Sequence, residues 1–449
     1  MRREKKEWAI IGGGMLGMTL ALRLSQQGHK VTIYESAEKV GGLTSSWQMN
    51  GIVWDKFYHV ILMSDLNTRK ILKEIGLEND LRWVETKTGF YSGGKLYSMS
   101  NIIEFFKFPP INLIDKFRLG LTIFFASKIK NWQRLENILV ADWLIRWSGK
   151  RVFEKIWLPL LKAKLGENYK ITSAAFIWTT IQRMYAARNS GLKKEMFGYV
   201  TGGYKKINQR FAEHLLKSGV NIQYNTKVVS LKKSISGQLE VTTQTGIQNF
   251  DKVISTLPSL SSVAIAGELM NNEKQKHRDI KYLGVICPSI LLKKSISPYY
   301  VTNITDTWPP FTGIIEMTAL IDKNETDEKH LVYLPKYVNP DDSLFDKNDA
   351  DLRKIFLDAL FKMYPEITND DILFWGVSKA RAVFALPTIN YSKKLPGITT
   401  SIANYYIINS AQIINGTLNV NETIQVAENK LCEILNNYGK DKTNCKHIA

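Results

Sequence analysis

Cysteine is nearly missing from this chain: there are three in 449 residues, Cys287, Cys432 and Cys445, far apart and without a CxxC pair. Such usage suggests neither a disulfide framework nor a zinc site, and no other metal-ligand spacing stands out. Long apolar runs are equally scarce. None approaches the roughly 20 residues that a bilayer-spanning helix needs. Met1-Arg2-Arg3-Glu4-Lys5-Lys6-Glu7 leads directly into a strand pattern, leaving no room for the apolar region of a secretory signal, so a cytoplasmic location is expected. Triplets such as Asn303-Ile304-Thr305 then have no meaning as glycosylation acceptors.

Negative charge is also in short supply. Asp and Glu number 42 against 60 Lys and Arg, a formal excess of +18. The excess favours anionic partners, either a phosphorylated metabolite or an anionic membrane surface, with a solvated basic surface as the plain alternative. Nucleic acid is excluded as a partner because the basic residues are scattered and no helix-turn-helix, zinc-finger or RNA-sheet signature accompanies them. At 44% hydrophobic and 23% charged, the chain reads as globular and is long enough for two or three lobes.

What is present begins at Trp8-Ala9-Ile10-Ile11, a short apolar run of the kind that forms a strand buried on both faces. Gly12-Gly13-Gly14-Met15-Leu16-Gly17 follows, then Leu16, Leu20, Ala21 and Leu24 at helical spacing up to Gly28, which reads as a C-cap. A second strand, Lys30 to Tyr34, ends at Glu35. Each part has a physical role in dinucleotide binding. Gly12 permits a tight turn, Gly14 lets backbone approach a diphosphate, and Gly17 lets the helix pack closely on the sheet. The helix N-terminus offers N–H groups and partial positive charge to the phosphates. Glu35 is placed to accept hydrogen bonds from ribose hydroxyls.

The next segment, Glu35-Ser36-Ala37-Glu38-Lys39-Val40-Gly41-Gly42-Leu43-Thr44, adds a second glycine pair just after the acid. Together these motifs resemble the flavin-binding signature of the amine oxidase, protoporphyrinogen oxidase and phytoene desaturase superfamily, which includes UDP-galactopyranose mutase. The resemblance implies FAD as cofactor, held by Gly12, Gly13, Gly14, Leu16, Gly17, Glu35, Ser36, Gly41, Gly42, Leu43 and Thr44. Leu43 departs from the pattern, since many members carry Arg there. Further along, Gly51 to Val60 is similar to the segment that passes beside the flavin ring. His59 falls where a histidine recurs in mutase-like and protoporphyrinogen-oxidase-like members, so it either approaches flavin or substrate as the candidate catalytic residue or is a structural histidine.

Tyr199-Val200-Thr201-Gly202-Gly203-Tyr204, a helical pattern, and strands to Asp251-Lys252-Val253-Ile254-Ser255-Thr256-Leu257-Pro258 resemble the family's return to the FAD domain. Val228 is then implied at the adenine, and Thr256 and Pro258 near the ribityl chain. Gly397 to Asn404 reads as a last buried strand and Asn421-Glu422-Thr423 as the start of a closing helix, which implies cofactor contacts from Asn404, Asn421 and Glu422. Relatives often carry an Asp-Arg pair shortly before that helix, where this chain has Thr417-Leu418.

The expected fold is α/β, α+β overall: a Rossmann-like FAD-binding domain in three pieces (1–88, 197–280 and 391–449) interleaved with a helical, substrate- or membrane-facing insertion (89–196) and a substrate-binding sheet (281–390). Phe117 to Ala126, followed by Lys128 and Lys130, is an apolar helix candidate, either buried in the substrate domain or lying in a membrane interface. Glu316, Tyr333 and Arg381 are polar residues in apolar surroundings, expected either to line the substrate pocket or to be satisfied core groups. The functional expectation is an FAD-dependent oxidoreductase that passes a hydride or electron pair from a small, lipophilic or nucleotide-linked substrate to flavin N5. Its alternative is a flavin-dependent mutase acting on a nucleotide sugar.

Overall fold

The computed structural model describes residues 5–188 and 195–436. The extreme amino terminus and Cys445 lie outside the described residues.

Trp8-Ala9-Ile10-Ile11 is buried because parallel strands flank it on both sides, helices cover one face, and the three-stranded antiparallel sheet Val228–Lys233, Leu239–Thr243 and Gly246–Phe250 with the helix Ser259–Ile265 covers the other. Five strands run parallel in the order Asn221–Gln223, Lys30–Tyr34, Glu7–Ile11, Lys252–Ser255 and Tyr405–Ile407. Each of the three expected chain pieces therefore contributes to one sheet. The helices Met15–Gln26 and Val420–Asn436 pack with it around Ile10, Leu20, Leu24, Ile424 and Leu431, all of them fully buried. Each such side chain contributes about 1.5–3 kcal/mol. Between the helices Arg23 is 6% exposed and pairs with Glu74 and Glu428, each at 2.6 Å.

The last strand is not where the sequence pattern puts it. Gly397 to Asn404 is irregular, and the strand is Tyr405–Ile407. Asn404 has φ +68°, a left-handed conformation that Asn tolerates and that breaks a strand. Among the described residues Cys287 is a buried free thiol.

A second, larger sheet is built around the long strands Tyr282–Leu292 and Ile372–Ala385, which pair antiparallel. The strands Thr88–Ser92 and Lys95–Ser98 belong to it, through parallel pairing with Val301–Ile304, so the 89–196 segment starts as sheet rather than as helix. Leu81–Glu85 and Met196–Val200 pair antiparallel and close the base of the helical insertion. That insertion packs around its own core of Trp143, Leu144, Val152, Leu161 and Ala174. Its helix Leu113–Lys128 buries Leu119, Thr122 and Ala126 and leaves Leu113, Ile114, Phe117, Leu121, Phe124 and Phe125 exposed.

Candidate active site

The carboxyl edge of the parallel sheet carries two glycine turns pressed together. Gly12 takes φ +107° and donates its N–H to the Tyr34 carbonyl, which turns the chain sharply out of the first strand. The helix then opens at Gly14, with no side chain capping it. Gly41 donates its N–H to the Gly13 carbonyl at 2.9 Å, and Gly14 and Gly41 form an isolated parallel bridge. Side chains are excluded here for definite reasons. A Cβ on Gly17 would lie 2.0 Å from the Gly12 carbonyl oxygen, and one on Gly12 would lie 2.5 Å from Thr256 Oγ1. Gly41 and Gly42 also need positive φ, +132° and +57°. The result is a bare backbone cradle at a helix N-terminus, which fits a diphosphate. Leu16 turns its side chain into the core, so only its backbone is available to the cradle.

Glu35 organises the adjoining corner. Its Oε2 accepts the Gly13 N–H and its Oε1 the Ala37 N–H, both at 2.8 Å, with Ser36 Oγ at 3.3 Å. Glu35 is 9% exposed, and its Oε2 keeps a second lone pair that could accept from a ribose hydroxyl. Thr226 donates its N–H to the Glu35 carbonyl, which brings the 224–228 segment, and Val228 with it, beside this corner. Thr44 donates to the Gly41 carbonyl and to Asn208 Oδ1, while Asn208 Nδ2 returns a bond to the Thr44 carbonyl. Leu43, inside this clamped turn, packs on the aromatic core between the lobes. Asn208 was not anticipated. The signal was a polar residue on the otherwise apolar face Tyr204, Ile207, Phe211 and Leu215 of the helix Gly203–Lys217.

Thr256 leaves the fourth strand of the sheet and bonds through Oγ1 to the Ile11 carbonyl, and Pro258 starts the next helix, so both lie at the same edge as Gly12. Asn404 does not. Val253 pairs with Tyr405, which puts Asn404 at the amino edge of the parallel sheet, the end away from the ligand crevice. The asparagine at the carboxyl edge is Asn409, just past the end of Tyr405–Ile407, whose Nδ2 donates to the Leu257 carbonyl at 2.9 Å. Asn421 Oδ1 accepts the Asn67 and Thr68 N–H groups and so docks the closing helix on the amino end of the helix Leu66–Glu74. Glu422 sits in the first turn of the closing helix, where burial raises its pKa against the charge of Arg183.

His59 borders a small cavity of about 10 Å³, room for one water, lined by Trp54, Asp55, Tyr199, Tyr204 and Met317. His59 Nδ1 is 2.9 Å from the Phe57 carbonyl, so that nitrogen carries the proton and Nε2 is the acceptor. Burial lowers its pKa to about 4, against the opposing pull of that carbonyl. The Tyr204 ring lies 4.9 Å from His59, and its buried hydroxyl has no hydrogen-bond partner among the described residues. Tyr58 Oη and Tyr337 Oη are 3.1 Å apart on the neighbouring wall.

The three expected substrate residues are not brought together. Glu316, 1% exposed, accepts hydrogen bonds from Ser295 Oγ and the Ser297 N–H, which makes it a satisfied core group. Tyr333 is fully buried and donates to the Asp55 carbonyl at 2.6 Å. Arg381 is half exposed, paired with Asp346 and bonded to the Pro340 carbonyl on the outer side of the sheet. Among the described residues no group of His, Cys, Asp and Glu could hold a metal ion.

A parallel sheet with a glycine turn, a carboxylate bonded beside it and a second glycine pair defines a dinucleotide-binding flavoprotein of two-lobed architecture. The chain belongs to the family of flavin-containing amine oxidoreductases, whose model matches residues 16–390, and FAD is its cofactor. It is 24% identical to the zeta-carotene desaturase of Synechocystis sp. over 258 residues, 52% of each chain. The chain thus matches about half the length of such curated relatives. Among solved structures, an oxidoreductase from Methanosarcina mazei superposes with a TM-score of 0.74 at 17% identity, covering 95% of this chain and 99% of that one. Reduced UDP-galactopyranose mutase superposes with 0.73 at 14% identity, covering 99% and 98%. At these identities the solved structures are shared fold. No helix among the described residues is long and apolar enough to cross a membrane.

Proposed function

We propose that this chain is an FAD-dependent oxidoreductase that takes a hydride or electron pair from a C–H, C–N or C–C unit of a small organic substrate, with an external acceptor closing the cycle. The observation that carries the reading is the apposition of Gly13-Gly14 and Gly41-Gly42 at the carboxyl edge of the parallel sheet, with Glu35 bonded beside it. FAD, when bound, supplies the two-electron chemistry.

The protein's own share is binding, orientation and proton placement. The glycine backbone and helix N-terminus hold the diphosphate, and Glu35 takes the ribose. Thr256 locks Gly12 in its turn, and Asn208 locks the Gly41–Thr44 turn. His59 is neutral across the ordinary pH range and offers Nε2 as a proton or hydrogen-bond acceptor, with the Tyr58 and Tyr337 hydroxyls as further polar atoms. Trp47, Trp54, Phe57 and Tyr333 supply an aromatic wall that excludes water. Nucleotide-sugar isomerisation draws on the same fold, and no observation favours it over oxidation.

The test is the visible spectrum of the purified protein. Flavin bands near roughly 375 and 450 nm, with FAD released on denaturation and bleaching by a reducing substrate, are expected. A colourless protein that takes up no added FAD would sink the reading. Turnover that needs reduced flavin and oxidises no substrate would replace it with the isomerase.

A further inference from the structure

The helix Leu113–Lys128 turns its apolar face outward. Leu113, Ile114, Phe117, Leu121, Phe124 and Phe125 are 58, 71, 57, 53, 46 and 47% exposed. At 100° per residue these six positions fall within about a third of the helix circumference, and Leu119, Thr122 and Ala126 pack inward from the other side. Neighbouring elements enlarge the patch. Phe106 stacks near Phe117 with ring centroids 5.6 Å apart, and Trp147, 44% exposed, lies 6.0 Å from Phe125. Isolated exposed apolar residues need no explanation, but a contiguous aromatic face marks an interaction surface.

Charge selects the partner. Between 102 and 130 there are five cations and two carboxylates. Both carboxylates are engaged locally, Glu104 by Ser98 and Ser100 and Asp115 by Arg151. Lys107, Arg118, Lys128 and Lys130 are exposed around the apolar face. A second copy of the chain would bring the same cationic rim and the same +18 charge, so self-docking is opposed by like charges. The surface is also a convex helix flank rather than a groove shaped to receive a segment.

We propose that this face docks on an anionic lipid bilayer, with the helix lying in the plane of the interface. Phe, Leu and Ile enter the headgroup–acyl boundary while Lys107, Arg118, Lys128 and Lys130 meet lipid phosphates. At 16 residues the helix spans about 24 Å, too short to cross, so it lies on the membrane. The proposal does not depend on the flavin reading, and its test reads lipid binding alone.

The experiment is co-sedimentation of the FAD-loaded protein with vesicles of equal parts phosphatidylcholine and phosphatidylglycerol, compared with phosphatidylcholine alone. Binding to the anionic vesicles is expected, weakening as salt rises from roughly 0.1 to 0.5 M. Phe117→Ser with Leu121→Ser should lower partitioning at least about tenfold, with flavin absorbance and unfolding midpoint unchanged because both side chains already face solvent. Ile114→Ser alone, at the most exposed position, gives the same direction in a variant with less to disturb. Lys128→Gln with Lys130→Gln should weaken binding to anionic vesicles only. Wild type left wholly in the supernatant, or serine variants that sediment like wild type, would overturn the proposal. So would a concentration-dependent dimer that the serine variants abolish, because a second copy would then be the occupant.

Discussion

Asp55 Oδ1 accepts the backbone N–H of Tyr204 at 3.0 Å, joining two residues 149 positions apart. One buried side chain therefore pins the segment leading to His59 against the start of the Gly203–Lys217 helix, and the wall beside the small cavity depends on it.

Replacing Asp55 tests that pin. Asp55→Ala leaves the buried Tyr204 N–H without an acceptor and should lower the unfolding free energy by about 1–3 kcal/mol, read from denaturant midpoints. Asp55→Asn keeps an acceptor and should cost less than half as much. Burial raises the Asp55 pKa well above its ordinary value, against the opposing pull of the Tyr204 N–H. The folded state thus holds its proton longer than the unfolded state, and the associated stability is full below about pH 4 and declines as pH rises through the folded pKa. Wild type should lose stability relative to Asp55→Asn over that interval; a difference that does not change with pH would contradict the raised pKa.

The glycine cradle gives a sharper contrast between a glycine inside the helix Met15–Gln26 and one just past its end. A Cβ at Gly17 meets the Gly12 carbonyl oxygen at 2.0 Å, so the turn that holds the diphosphate must shift. Gly28, at the other end, has positive φ but nothing within 4 Å of its Cβ position. Gly17→Ala should weaken FAD binding at least about tenfold, by the usual 1–3 kcal/mol of overpacking. Gly28→Ala should lower only the unfolding midpoint. Flavin-to-protein absorbance ratios after dialysis separate the two, and equal FAD loss in both variants would mean that the defect is general instability.

This contrast also explains what the sequence could disclose. Gly12, Gly17, Glu35 and the second glycine pair act through bonds to near neighbours or through the absence of a side chain, so their spacing carries their role. Glu316, Tyr333 and Arg381 look alike in sequence, as polar residues among apolar ones. Their partners, Ser295, the Asp55 carbonyl and Asp346, are chosen by tertiary packing. Asn404 was misplaced because Gly397 to Asn404, rich in β-branched Ile and Thr, runs straight into the apolar Tyr405 to Ile408, and the left-handed φ at Asn404 separates them. The apolar run finds a helix at 117–126 but is silent on whether its face turns inward or outward.

Arg23 tests the three-helix junction. It is nearly buried, bidentate toward Glu74 and bonded to Glu428, itself 5% exposed. Glu428→Ala or Arg23→Met leaves a buried charge poorly compensated and should cost about 3–5 kcal/mol. Arg23→Met combined with Glu428→Met removes charge and partner together and should be more stable than either single variant. Additive losses in urea midpoints would show that the ion pair is not a unit.

His59 provides a test with two independent readings. Burial lowers its pKa to about 4, so the folded state binds its proton later than the unfolded state does. The stability it contributes is complete above about pH 6.5 and is lost as pH falls toward 4, on the order of 3 kcal/mol relative to His59→Gln, which does not titrate. The second reading is kinetic. If His59 stays neutral beside the flavin site, the rate at which a substrate reduces bound FAD should show no His59 inflection near pH 6.5, in wild type or variant. An inflection near 6.5 that His59→Gln removes would put a solvated, titrating histidine in the site. His59 would then be a proton carrier at neutral pH, and the cavity it shares with Tyr204 would have to open to water during turnover.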